Sequence, residues 1–156
     1  MKTKDFFKEG KNNIGYIGDN FKENFMDMEF SLPESFNFKT NILKRNMLDS
    51  EILEEFKLQE SNLGELAYII KNDLLKDKFN IFYMRDSKNI LWPVNFGWYS
   101  DVQCWYVNAY SVKNPYSWSA GNRVLSRDCN FETKTLDPLS FCECERCPVC
   151  KKIIKQ

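Results

Sequence analysis

The chain has 156 residues, of which 43% are hydrophobic and 28% charged, so it can bury one core and makes one domain with at most a small appendage. Lys plus Arg and Asp plus Glu both number 22, and a net charge of zero argues against a protein that binds nucleic acid by phosphate neutralisation alone. There is no histidine, which removes the usual general base, the commonest metal ligand and any Ser-His or Cys-His nucleophile pair within one chain.

The N-terminal residues MKTKDFFKEGKNNIG lack the apolar stretch of a signal peptide. No apolar run reaches the length of a membrane span. The expected location is therefore the cytoplasm. Six cysteines in a cytoplasmic chain suggest metal ligands or free thiols rather than a disulfide frame.

Residues 1–78 read as helical. A short helix is expected from Lys4 to Glu9. Asp19 or Asn20 caps a second, with Phe21, Phe25 and Met28 on one side. Pro33 breaks the chain, and the alternation around Phe36 and Phe38 suits a short strand. Asp49 and Ser50 are expected caps for a helix with Ile52, Leu53 and Phe56 on one face. Asn62 and Glu65 form a capping-box pair. Leu63, Leu66, Ala67, Ile70 and Leu74 then recur at helical spacing, with Lys76 and Lys78 placed at the C-terminal end of the dipole.

From Phe79 the period becomes that of strands. Residues 79–127 hold all four tryptophans and five of the seven tyrosines. Strands are expected at 79–85, 90–94, 103–112 and 123–127, with Asp86-Ser87-Lys88-Asn89 as a turn. Pro93 implies an edge strand or a bulge. Asn95–Asp101 is read as a bend or a further short strand. The fold class expected is α+β, with the N-terminal helices packed on an antiparallel, aromatic-rich β-meander. One α+β domain spans 1–141, with residues 128–141 as a loop, and a cysteine-rich tail spans 142–156.

Strand alternation at Gln103–Val112 separates Trp105, Val107 and Ala109 from Tyr106, Asn108 and Tyr110. The first set is the expected core face. The second, with the basic strand Arg123–Arg127 beside it, is the expected partner-binding face: Tyr106, Asn108, Tyr110, Arg123 and Arg127. Tyr, Trp and Arg are enriched in interface hot spots. The same aromatic residues interleaved with Arg85, Lys88 and Lys113 also suit a stacking platform for single-stranded nucleic acid.

The tail reads FCECERCPVCKK. Cys142, Cys144, Cys147 and Cys150 have the spacing C-x-C-x2-C-x2-C, and the segment CPVCK resembles the knuckle of zinc ribbons and rubredoxins. One structural zinc held by four thiolates is the expected cofactor. Cys129 is a possible replacement ligand, and free thiols or an iron–sulfur cluster are the alternatives. A closed four-thiolate site has no open coordination position, so it stabilises rather than catalyses.

The run from Trp105 to Asp128 contains W-x-V-x-A followed by W-x-x-G-N-x-V-x-S-R. This resembles a pattern in small proteins of bacteriophages and prophages. The resemblance implies an accessory protein that binds and blocks a bacterial defence or host protein or ribonucleoprotein, in the manner of an anti-CRISPR. No glycine-rich phosphate loop, G-x-S-x-G elbow or open metal motif points to an enzyme. The alternative is a zinc-containing nucleic-acid-binding module that uses an aromatic sheet face.

Overall fold

A computed structural model describes residues 1–113 and 116–127. The fold is α+β, built on one mixed sheet of six strands. Its elements in chain order are α1 (Thr3–Phe6), β1 (Ile14–Ile17), α2 (Asp19–Phe25), β2 (Phe38–Ile42), α3 (Asp49–Phe56), α4 (Leu63–Lys71), β3 (Asn80–Arg85), β4 (Leu91–Tyr99), β5 (Cys104–Ala109) and β6 (Arg123–Arg127). Among the described residues no helix is long and apolar enough to cross a membrane.

The strand order is β1-β5-β4-β3-β6-β2. The antiparallel meander is real for β3, β4 and β5 and ends there. β6 does not close it beside β5. It returns to lie parallel to β3, with Asn80 opposite Arg123 and Ile81 opposite Val124. β1 lies parallel to β5 at one edge, and β2 lies antiparallel to β6 at the other. So the first 78 residues supply both edge strands as well as the helices. The physical reason is visible in β6. Val124 and Leu125 are adjacent, point to opposite sides, and are both fully buried. A strand buried on both faces is an interior strand.

Two apolar clusters lie on the two sides of the sheet. The larger holds Phe82, Val94, Phe96, Trp105, Val107, Ala109 and Leu125 under α4 and the two N-terminal helices. The smaller holds Ile81, Tyr83 and Val124 under Leu43, Met47 and Ile52 of the α3 segment. Burying a residue such as Phe21 or Phe25 on α2 stabilises the fold by about 1.5–3 kcal/mol each.

Several local expectations change. α4 is capped as expected: Asn62 Oδ1 accepts from Glu65 N at 2.9 Å, and Asn62 N donates to Glu65 Oε1 at 3.1 Å. It stops at Lys71, however, and Asp73 and Leu75 turn the chain with positive φ. Lys76 therefore leaves the helix end and sits 3.8 Å over the Trp98 ring. At α3 the cap position belongs to Leu48, and Asp49 is the first helical residue. The Asp49 carboxylate is engaged elsewhere, as described below. At α2 the cap position belongs to Gly18, whose Cα is so close to the Asn108 side chain that no Cβ fits. α1 is one turn, Thr3–Phe6, rather than Lys4–Glu9.

Pro93 lies in β4, an interior strand, not at an edge or a bulge. It is tolerated because its carbonyl accepts from Tyr110 N at 3.0 Å, just past the end of β5. The missing N–H thus falls on the last rung of the β4–β5 ladder. β4 also runs on through Gly97 to Tyr99 instead of bending. The Asp86 turn forms as expected. One carboxylate oxygen accepts from Lys88 N and Ile90 N, both at 2.9 Å, and the other from Trp92 Nε1 at 2.9 Å.

Candidate binding face

β5 presents its side chains alternately to the two sides of the sheet. Trp105, Val107 and Ala109 are fully buried in the larger core. Tyr106, Asn108 and Tyr110 stand on the other side and are half-buried. The α3 segment covers that side over β3, β6 and Leu91 of β4, and Pro93, Asn95 and Gly97 of β4 are buried too, so the exposed part of this side lies over β5, β1 and the Tyr99 end of β4, where a tyrosine cluster stands.

The cluster is assembled from three strands and two residues beside them, Phe79 before β3 and Tyr110 just past β5. On β1, Ile14 and Ile17 both point into the core although they are three residues apart, because the register shifts between Ile14 and Tyr16. The shift turns Tyr16 outward, where its ring stacks on Tyr106 with centroids 4.9 Å apart and planes 8° from parallel. Tyr99, at the end of β4, meets Tyr106 edge-on at 5.9 Å. Phe79 packs edge-on against Tyr99 at 5.3 Å and Tyr106 at 5.9 Å. Its ring lies on the β4 backbone at Gly97, where a Cβ would come within 2.5 Å of Phe79 Cδ1. Tyr16 and Tyr99 remain 46% and 45% exposed.

The polar ends of the cluster are tied to one another. The Tyr106 and Tyr110 hydroxyls are 2.9 Å apart, and Asn108 Nδ2 donates to the Tyr106 hydroxyl at 3.2 Å. Burial, then the Tyr110 hydrogen bond, raises the Tyr106 pKa above its usual value, so its proton stays in place at neutral pH. The face thus offers ring surfaces, phenol hydroxyls and one carboxamide. These groups suit recognition more than proton transfer.

Tyr110 connects the face to a buried polar centre. Its ring meets Trp118 edge-on at 5.2 Å. Trp118 Nε1 donates to Asp49 Oδ1 at 2.7 Å, and the Tyr83 hydroxyl donates to the same oxygen at 2.7 Å. Asp49 is buried, and no Lys or Arg is paired with it among the described residues. Loss of solvent raises its pKa, opposed by the Tyr83 and Trp118 hydrogen bonds. Met47 and Trp118 exchange backbone hydrogen bonds at 3.0 and 2.7 Å, fixing the Trp118 segment to the start of α3.

Arg123 and Arg127 are not beside Tyr106, Asn108 and Tyr110. β4 and β3 lie between β5 and β6. The two arginines also sit on the α4 side of the sheet with Leu125. Arg127 grips Glu65 of α4 through Nε at 3.0 Å and a terminal nitrogen at 3.1 Å. A terminal nitrogen of Arg123 reaches both Asp77 oxygens, at 2.7 and 2.8 Å, and holds that carboxyl below the usual range. Arg85 pairs with Glu60, and Arg45 with Glu51 and Glu55. Every arginine among the described residues therefore has a carboxylate partner.

Tyr16 and Asp49 join the site without having been singled out in the sequence for it. For Tyr16 a signal existed: an Ile-x-x-Ile spacing buries both isoleucines of a strand only through a bulge. Among the described residues no three His, Cys, Asp or Glu side chains gather to hold a metal. Cys142, Cys144, Cys147 and Cys150 lie outside the described residues. No protein-family model matches the chain, and neither a curated protein nor a solved structure matches it.

Proposed function

We propose that this chain is a non-enzymatic binding protein of phage or mobile-element type. It inhibits a bacterial defence or host protein, or ribonucleoprotein, by occupying it in the host cytoplasm. The observation that carries this reading is the tyrosine cluster on the exposed part of the sheet, with Tyr16 and Tyr99 nearly half exposed. Tyrosine supplies large contact area with few rotatable bonds and a hydroxyl that finds partners at a rim. The paired state of the arginines among the described residues favours a protein surface over a phosphate backbone, because each of those guanidiniums would have to leave a carboxylate to reach a phosphate. One structural zinc on Cys142, Cys144, Cys147 and Cys150 belongs to the same reading.

The test is capture from bacterial lysate with and without nuclease, followed by Tyr16→Ala and Tyr99→Ala. Capture of one protein or complex should survive nuclease and moderate salt. Each substitution should cost about 2 kcal/mol of affinity, more than the loss of about 0.5–1.5 kcal/mol of stability expected from the ring contacts it removes. Capture that disappears with nuclease and falls steeply with salt would point instead to the nucleic-acid-binding module.

A further inference from the structure

The two edges of the sheet are unequal. β1 is four residues long and carries a register shift, a device that blunts an edge. β2 pairs with β6 in unbroken register from Phe38 to Ile42 and contains no proline. Thr40 and Ile42 on it are exposed, Ile42 to 48%.

The orientation of the β2 backbone follows from its continuation. Leu43 N donates to Asn122 O at 2.9 Å, and Leu43 O accepts from Gly121 N at 2.8 Å, so both Leu43 groups face the β6 side. Along an antiparallel strand this direction alternates. Lys39 and Asn41 therefore spend their backbone groups on β6. Phe38, Thr40 and Ile42 direct theirs outward.

We infer that this outer edge pairs with the β2 edge of a second copy of the chain, antiparallel, about a two-fold axis through Thr40. In that register Thr40 faces Thr40, and Phe38 of each copy faces Ile42 of the other. These are the three residues with outward backbone groups, so all of them fall on hydrogen-bonded rungs. Lys39 is directly opposite Asn41 of the second copy, and the two Lys39 side chains lie diagonally across the axis rather than face to face. The axis stands perpendicular to the sheet and keeps the faces continuous. A register shifted by one residue loses both features: the outward groups fall out of step and the two-fold is no longer on Thr40. The result is a closed isologous dimer with one sheet continuous across it. It does not depend on the tyrosine face, which lies toward the opposite edge.

The test is sedimentation of the full chain in reductant, from the micromolar to the millimolar range, with amide exchange measured at both ends of it. We expect a monomer–dimer equilibrium, with Thr40 and Ile42 amides more protected at high concentration. Thr40→Pro removes an outward N–H without touching the β6 ladder, and Thr40→Lys sets two like charges on the axis. Each should raise the dimer Kd by at least about tenfold, or 1.4 kcal/mol. Ile90→Ser, at an exposed apolar residue outside β2, should leave it unchanged. A monomer throughout, a dimer insensitive to both Thr40 variants, assembly beyond a dimer, or amide protection independent of concentration would each overturn the inference.

Discussion

The Tyr83 hydroxyl and the Trp118 indole meet on one oxygen of Asp49, each at 2.7 Å. Tyr83 comes from the middle of the sheet and Trp118 from the segment before β6, so one buried carboxylate joins the sheet to the start of α3. Both donors are neutral, and desolvation prevails: the Asp49 pKa is raised. The sign of the pH effect follows. A carboxyl with a raised folded-state pKa holds its proton better folded than unfolded. Its penalty is absent below the ordinary value of 3.8, grows as pH climbs to the raised value, and is constant above it. Asp49→Asn keeps an acceptor for both donors and removes the charge. The stability of the variant relative to the parent should therefore rise with pH through that interval and then level off. Denaturant unfolding at a series of pH values measures this, and a difference that does not change with pH would refute it. Tyr83→Phe, which leaves the oxygen with one donor, should cost about 1–3 kcal/mol.

Trp105 lies at the centre of the larger core, with no exposed surface, between Phe96 at 6.3 Å and Trp98 at 5.6 Å. Truncation leaves a cavity that the strands on either side cannot close. Trp105→Ala should lower stability by about 3–5 kcal/mol. An unchanged melting curve would show that the ring is not part of the core.

This contrast between Trp105 and Tyr106 is the part of the molecule most legible in the sequence. Strict alternation in one strand assigns side chains to faces without knowledge of neighbouring strands. The α4 cap and the Asp86 turn are legible for the same reason, since each is closed by residues within six positions. The strand order is a different matter. β1 meets β5 and β6 meets β3 through parallel pairings that span long stretches of chain. No local period encodes which strand a neighbour will be. That is why Arg123, expected beside Tyr106, lies two strands further across and on the other side. Asp49 was legible as a helix-start residue but not as an acceptor, because its donors are 34 and 69 residues away.

The zinc expectation rests on chemistry that the whole chain constrains. Without histidine, a tetrahedral site of the usual kind must be built from thiolates, and four of the six cysteines fall within nine residues of the tail. Elemental analysis of protein purified under reducing conditions should find about one zinc per chain. A double Cys147→Ser and Cys150→Ser variant should abolish it. Metal-free protein with every thiol open to titration in the native state would remove zinc from the reading.

Gly97 and Phe79 offer a test of how the binding face is held. The Phe79 ring occupies the space above Gly97, and a Cβ there would sit 2.5 Å from its Cδ1. The same ring contacts both Tyr99 and Tyr106. Gly97→Ala should therefore displace Phe79 and destabilise the protein by about 1–3 kcal/mol. If the cost arises from this ring, it should largely vanish in a Phe79→Ala background, giving a coupling of about 0.5–3 kcal/mol. Additive costs in the double variant would place the strain in the β4 backbone instead. Because Phe79 packs on Tyr99 and Tyr106, Gly97→Ala should also weaken partner capture beyond its effect on stability, measured on protein well below its melting temperature.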